Sequence, residues 1–300
     1  MNYRKILLQS WNINKSRSYL WWLGLFTVFS IFLQTDTFQG DEQIKLGDYQ
    51  PLHFLFYNDW LLMGAVLLFF TVVILLFYFQ FVARAGIIKA VQSIHINKRE
   101  CTFKHAMIQG KKYVWRIIGL DLLSAVLMLL SVVPFAVFAL GYYFTTQNLP
   151  DDFVGTLIFG WLILFITLML YISLVLNFAT IELIINDRKI TEAFKIGHSV
   201  VKANLSKYFK AVLWIGCIDI FYVVILLIII GFFGWGFDRI VFLFRDLVPA
   251  WLVFVLLSPI IVIITGVLLW CSAFFSSFNY CYQTLVYFEL IKTVKKTNRN

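Results

Sequence analysis

The sequence predicts an all-α, polytopic membrane protein with six transmembrane helices, built from repeated helical hairpins with amphipathic elbows on the cytoplasmic side. Three observations carry this expectation. Of 300 residues, 61% are hydrophobic and only 14% charged, with a mean hydropathy of +0.84, outside the range of soluble globular domains. The apolar residues gather into six stretches near the length of roughly 20 helical residues that a bilayer core demands. Basic residues cluster in alternate connections between those stretches, the pattern of the positive-inside rule.

The stretches cover 19–33, 60–82, 114–144, 154–179, 211–235 and 248–280. The first is short by itself. Trp21 and Trp22 can sit at one interface while tilt and the chain beyond Leu33 complete the crossing. A signal peptide competes for this end, but no small-x-small cleavage site follows the apolar run. The third and sixth stretches contain Pro134 and Pro259, each read as a kink. The third and fifth carry Asp121 and Asp219.

Orientation follows from the cations. Arg4, Lys5, Lys15 and Arg17 precede the first stretch, and 84–116 adds Arg84, Lys89, Lys98, Arg99, Lys104, Lys111, Lys112 and Arg116. The next connection on the same side holds Arg188, Lys189, Lys195, Lys202, Lys207 and Lys210, and the tail adds Lys292, Lys295, Lys296 and Arg299. Only Lys45, Arg239 and Arg245 remain for the other side, so both termini are expected in the cytoplasm. The net charge of +9 reads as this topology signal plus affinity for anionic inner-leaflet lipids, not as a nucleic-acid footprint. Abundant Phe, Ile, Lys and Asn fits a bacterium with an AT-rich genome, hence a bacterial inner membrane.

A polar hexamer, Asn97-Lys98-Arg99-Glu100-Cys101-Thr102, is echoed as Asn186-Asp187-Arg188-Lys189-Ile190-Thr191, each time where an apolar stretch ends. Upstream lie Gln80-Phe81 and Asn177-Phe178, with Ser277-Phe278-Asn279 as a third version; downstream come Ala106 to Gly110 and Ala193 to Gly197, then Lys112-Tyr113 and Lys207-Tyr208. Residues 3–22 read as a degraded first copy. The expected organisation is a single membrane domain of three units, 1–96, 97–185 and 186–291, with a basic tail at 292–300. Thr102 or Thr191 can cap the helix that follows, which makes the hexamer an elbow more readily than a ligand site. Beyond it, Ile190, Ala193, Phe194, Gly197, Val200, Val201 and Leu205 share one helical face. Ala106, Ile108 and Val114 form a weaker stripe. Such segments lie along the inner leaflet, with Arg99, Arg188, Lys112 and Lys207 at lipid phosphates.

The residues that could carry chemistry are few. An intramembrane carboxylate is costly unless paired, protonated or hydrated, which singles out Asp121 and Asp219. Gln80, Arg84, Arg116, Asn177, Ser272 and Asn279 could join Asp121 in a polar layer that lines a cavity, or could satisfy one another between helices. The acidic loop residues Asp36, Asp41, Glu42, Asp48 and Asp59 lack EF-hand spacing. Cys101, Cys217, Cys271 and Cys281 form no C-x-x-C pair and read as packing residues. No expected span contains a histidine, which disfavours a membrane di-iron enzyme. G-x-S-x-G, Walker A and dinucleotide-loop signatures are missing from the sequence. No metal, cofactor or catalytic residue is therefore expected.

The order Asn186 to Gly197, then Lys207-Tyr208 leading into a span, resembles the membrane domain of glycerophosphoryl diester phosphodiesterases and related stand-alone six-span bacterial proteins. In that family the catalytic carboxylates and metal belong to a soluble barrel, for which these 300 residues leave no room. No phosphodiesterase residue is carried over. The functional expectation is a non-enzymatic scaffold or accessory subunit that organises lipids or partner membrane proteins, with a small transporter using Asp219 and Asp121 as the alternative.

Overall fold

The computed structural model describes residues 1–34, 59–96, 101–145, 151–244 and 250–297. They form eight helices and no strand: α1 Tyr3–Ser16, α2 Tyr19–Gln34, α3 Asp59–Ile96, α4 Phe103–Lys111, α5 Val114–Thr145, α6 Asp151–Asn186, α7 Ile190–Phe244 and α8 Ala250–Thr297. The first four residues of the first hexamer, Arg99 among them, lie outside the described residues, as do Asp36, Asp41, Glu42, Lys45, Asp48 and Arg245. Five helices, α3 and α5 to α8, hold segments long and apolar enough to cross a bilayer. The chain thus has the architecture of a polytopic helical membrane protein. Helix α2, with 16 residues, extends about 24 Å and stops short of a hydrocarbon core about 30 Å thick.

The joints follow from local chemistry. Thr102 caps α4 by accepting from the His105 N–H at 3.4 Å, and Asn2 caps α1 by accepting from the Lys5 N–H at 3.1 Å. The second hexamer behaves differently. Thr191 is already inside α7, so it is not the cap; the chain instead turns at Asp187, whose φ of 53° is left-handed. A residue in that conformation just past a helix end closes the last turn. Pro134 and Pro259 lie inside α5 and α8, which run on as helix past both.

Burial is confined to one end of the bundle. The core draws on Ile6 to Val28, Val82 to Val91, Cys101 to Leu120, Val175 to Ile184, Ala193 to Ile215 and Ala273 to Leu290. Because the spans alternate in direction, these are the ends of the long helices nearest the elbows. Their far halves carry exposed apolar side chains, such as Trp60, Leu67 and Phe70 on α3, Leu129 on α5, Phe159 on α6, Phe232 on α7 and Val262 on α8. Apolar surface of this kind is stable in lipid and not in water.

Each short helix before a span packs on the elbow end of a long one. A Cβ added to Gly110 of α4 would overlap the Val82 carbonyl oxygen of α3 and lie 3.0 Å from the Gly86 nitrogen. A Cβ on Gly197 of α7 would lie 2.9 Å from both the Val175 oxygen and the Ala179 nitrogen of α6. Only a residue without a side chain lets the backbones approach this closely. At the corresponding place on α1, eight residues after its cap, stands the fully buried Ser10. Helix α1 packs on α8, where the Asn14 side chain donates to the Phe274 carbonyl at 3.0 Å and accepts from the Ser277 hydroxyl at 2.8 Å. These contacts pair Val82 with Val175, one helical turn away from the register set by Gln80-Phe81 and Asn177-Phe178.

Two expected faces are corrected. Leu205 is 48% exposed although Ala193, Gly197, Val200 and Val201 are buried, because the non-helical backbone of Asn204 (φ −130°, ψ 26°) resets the phase of the helix. Ile108 is 53% exposed; nine-residue α4 is too short to bury more than the stripe through Ala106 and Gly110. Of the cysteines, Cys101 and Cys281 are buried as expected, whereas Cys217 and Cys271 are exposed on the spans.

Candidate functional site

The polar residues within the spans meet near the elbow end. Arg84 on α3 reaches Asp121 on α5 at 3.3 Å and the Thr180 hydroxyl on α6 at 3.2 Å, and its guanidinium lies 6.0 Å from the centre of the Tyr280 ring on α8. Four helices are thus tied through one side chain. The Arg84 side chain is 17% exposed and that of Asp121 38%, so both charges are partly withdrawn from solvent and each compensates the other. Gln80, one turn before Arg84, has a buried Oε1 with no partner among the described residues.

Asp219 on α7 is held apart from this cluster. It accepts from the Asn279 amide at 3.3 Å, and the Asn279 oxygen accepts from Gln283 at 2.8 Å. Asn279 and Tyr280 are neighbours on α8, so the two polar groups flank that helix. Asn177 is half-buried on α6 and joins neither group. Ser272 bonds the Tyr222 hydroxyl at 2.6 Å, a further α7 to α8 link. Arg116, at the start of α5, pairs with Asp187 in the turn between α6 and α7. The structure therefore brings Arg84 with Asp121 and Asp219 with Asn279, and sends Arg116 to an elbow.

A groove of about 680 Å³ opens at the elbow end, where α6, α7 and α8 approach one another. Its lining includes Glu182, Arg188, Lys195, Ser199 and Tyr287. Arg188 lies 3.6 Å from Glu182 and 3.7 Å from Glu192. Lys112 and Lys207 are exposed, and the Lys207 carbonyl accepts from the Tyr3 hydroxyl at 3.0 Å. A smaller cavity of about 220 Å³ borders Lys89, Cys101, His105 and Gln109. Burial pushes the Cys101 thiol above its ordinary value, against the lowering influence of Tyr19 and Arg17.

Sequence reasoning missed Glu182 and Tyr287. The segment 180–185 reads as an apolar continuation of the fourth span, and carboxylates were sought only inside the spans proper. The available signal was Glu182 itself, a lone charge between Ile181 and Leu183 in an apolar run, where a charge must find a partner.

Fold and polar layer together define a helical membrane-embedded protein. No protein family, curated protein or solved structure matches the chain.

Proposed function

We propose that this chain is a non-enzymatic component of a bacterial inner membrane that anchors its elbow end at the cytoplasmic leaflet and organises lipids or partner membrane proteins there. The observation that carries this reading is the packing gradient. The helices are cemented at the elbow end and leave their apolar far halves exposed, as suits a body that meets lipid or another membrane protein along most of its span. Lys112, Lys207 and the half-exposed Arg188 stand at the cemented end, where lipid phosphates would meet them. Arg99 belongs to the same elbow in sequence.

On this reading the chain has three units and six spans. The caps Asn2, Thr102 and Lys189 are followed at the fourth residue by buried Ile6, Ala106 and Ala193 and at the eighth by buried Ser10, Gly110 and Gly197. Helix α2 with the chain after it supplies the remaining crossing, and both termini are cytoplasmic by the distribution of cations. The likeness of 186–208 to the membrane domain of glycerophosphoryl diester phosphodiesterases fits this reading, since that domain accompanies catalysis without performing it.

Purification from native membrane into nanodiscs tests the proposal. Co-purifying lipid or a stoichiometric membrane partner is expected, and a lone chain that retains neither would defeat it. One observation favours a transporter as the second reading: Asp219 faces only the neutral Asn279 in the bonds described, so its charge is available to a cation. Proteoliposomes that show an ion flux abolished by Asp219→Asn would establish that reading instead.

A further inference from the structure

We infer that the groove between α6, α7 and α8 binds an aminophospholipid head group, its primary ammonium on Glu182 and its phosphate on Arg188 and Lys195. The inference rests on the lipid-organising reading above and names the lipid chemistry.

Glu182 carries the argument. Its side chain is 3% exposed, yet only one oxygen is engaged. Oε1 faces the Arg188 Nε at 3.6 Å, longer than a charge-assisted hydrogen bond. Oε2 is buried and receives no hydrogen bond from the described residues. Buried carboxylate oxygens are ordinarily saturated with donors, so this one calls for a donor from outside the chain. The Tyr287 hydroxyl, buried on α8, is likewise without a partner. Both residues line the same groove.

The other lining groups fix the ligand's second charge. Arg188 is 48% exposed, and Lys195 lies on the exposed side of α7, so both can approach a phosphate. A plain anion would satisfy these cations and be repelled by Glu182. A plain cation would do the reverse. A zwitterion with a primary ammonium a few bonds from a phosphate satisfies both, and a quaternary ammonium has no N–H to offer Oε2. The wall formed by Ile96, Phe288 and Ile291 is apolar, which suits the glycerol and first methylenes of a membrane lipid more than free phosphoethanolamine.

Native mass spectrometry of the full chain, released from vesicles of phosphatidylethanolamine, phosphatidylcholine and phosphatidylglycerol, reads the occupancy. Wild type is expected to retain phosphatidylethanolamine about tenfold over phosphatidylcholine, the factor that one charge-assisted hydrogen bond supplies. Glu182→Gln should erase the preference. Tyr287→Phe, which keeps the ring and the packing, should reduce it several-fold with an unchanged melting temperature, so the test survives if Glu182→Gln fails to fold. Displacement by soluble phosphoethanolamine would support the same head-group chemistry and assign the site to the free compound. Equal retention of all three lipids, a preference unchanged in the variants, or displacement only by a lysine-bearing peptide would overturn the inference and leave the lipid-organising reading standing. Retention of no lipid would overturn both.

Discussion

Replacing Gly110 by alanine tests whether the short helix before a span is locked onto the preceding long helix. The new Cβ would overlap the Val82 carbonyl oxygen and stand 3.0 Å from the Gly86 nitrogen and 3.1 Å from the Val82 carbon. All three are backbone atoms, so no side-chain rotation relieves the contact and the two helices must separate. Overpacking of this kind costs about 1–3 kcal/mol, while the better helix propensity of alanine returns about 1 kcal/mol. The net expectation is a loss of about 1–2 kcal/mol, or a melting temperature lower by several degrees at about 2–4 °C per kcal/mol. Gly197→Ala meets backbone at 2.9 Å and should lose less. Gly160 is the internal control, because nothing lies within 4 Å of its added Cβ, and Gly160→Ala should be neutral or slightly stabilising. The assay is thermal unfolding in detergent followed by loss of the monodisperse chromatographic peak. Identical melting of Gly110→Ala and Gly160→Ala would refute the close approach of α4 and α3 and the elbow packing argued from it.

The Arg84 to Asp121 pair should behave as a coupled unit. Asp121→Asn or Arg84→Met alone leaves one partly buried charge uncompensated and is expected to destabilise by about 1–3 kcal/mol, below the cost of breaking a fully buried pair because Asp121 is partly exposed. The double variant should recover most of that loss in a thermal-melt cycle; strict additivity would show that the pair is uncoupled. Cysteine labelling separates the two halves of the molecule. Cys217 and Cys271 are exposed on the spans and should react with a membrane-permeant maleimide but not with a charged one, whereas buried Cys101 should resist both at pH 8. The raised Cys101 thiol is neutral in the fold, so its contribution to stability is present at neutral pH and is lost as pH climbs through the raised value. Rapid alkylation of Cys101 by the charged reagent in the folded protein would contradict its burial.

The long apolar helices were legible because a bilayer imposes one requirement on sequence, length without charge, and 61% apolar content makes it unmistakable. The elbow stripe was legible for a similar reason, since Ala106, Gly110, Ala193 and Gly197 are small residues at helical spacing in otherwise mixed segments. What the sequence concealed depends on contacts distant in the chain. That Arg84 meets Asp121 while Asp219 meets Asn279 is decided by which helices are neighbours, and no local pattern encodes it. Leu205 and Thr191 were misassigned because a single non-helical residue, Asn204, and a left-handed one, Asp187, shift the phase of all that follows. Glu182 was overlooked because its environment, not its identity, makes it notable.

The placement of α1 completes the logic of the elbow end. Helix α4 rests on α3 and the start of α7 rests on α6, each on the long helix just before it in the chain. No long helix precedes α1 in this sequence, and it rests on α8, through Asn14 with Phe274 and Ser277 and through Trp11 at 5.0 Å from the Phe274 ring. The Tyr3 hydroxyl then reaches Lys207 on α7, and Gln9 bonds His95 on α3 at 3.0 Å. The first short helix therefore closes a ring among helices that the chain order keeps far apart. Such a ring explains why burial concentrates at this end. Each joint supports its neighbours there, whereas the far halves of the spans carry no equivalent closure and are left to the membrane.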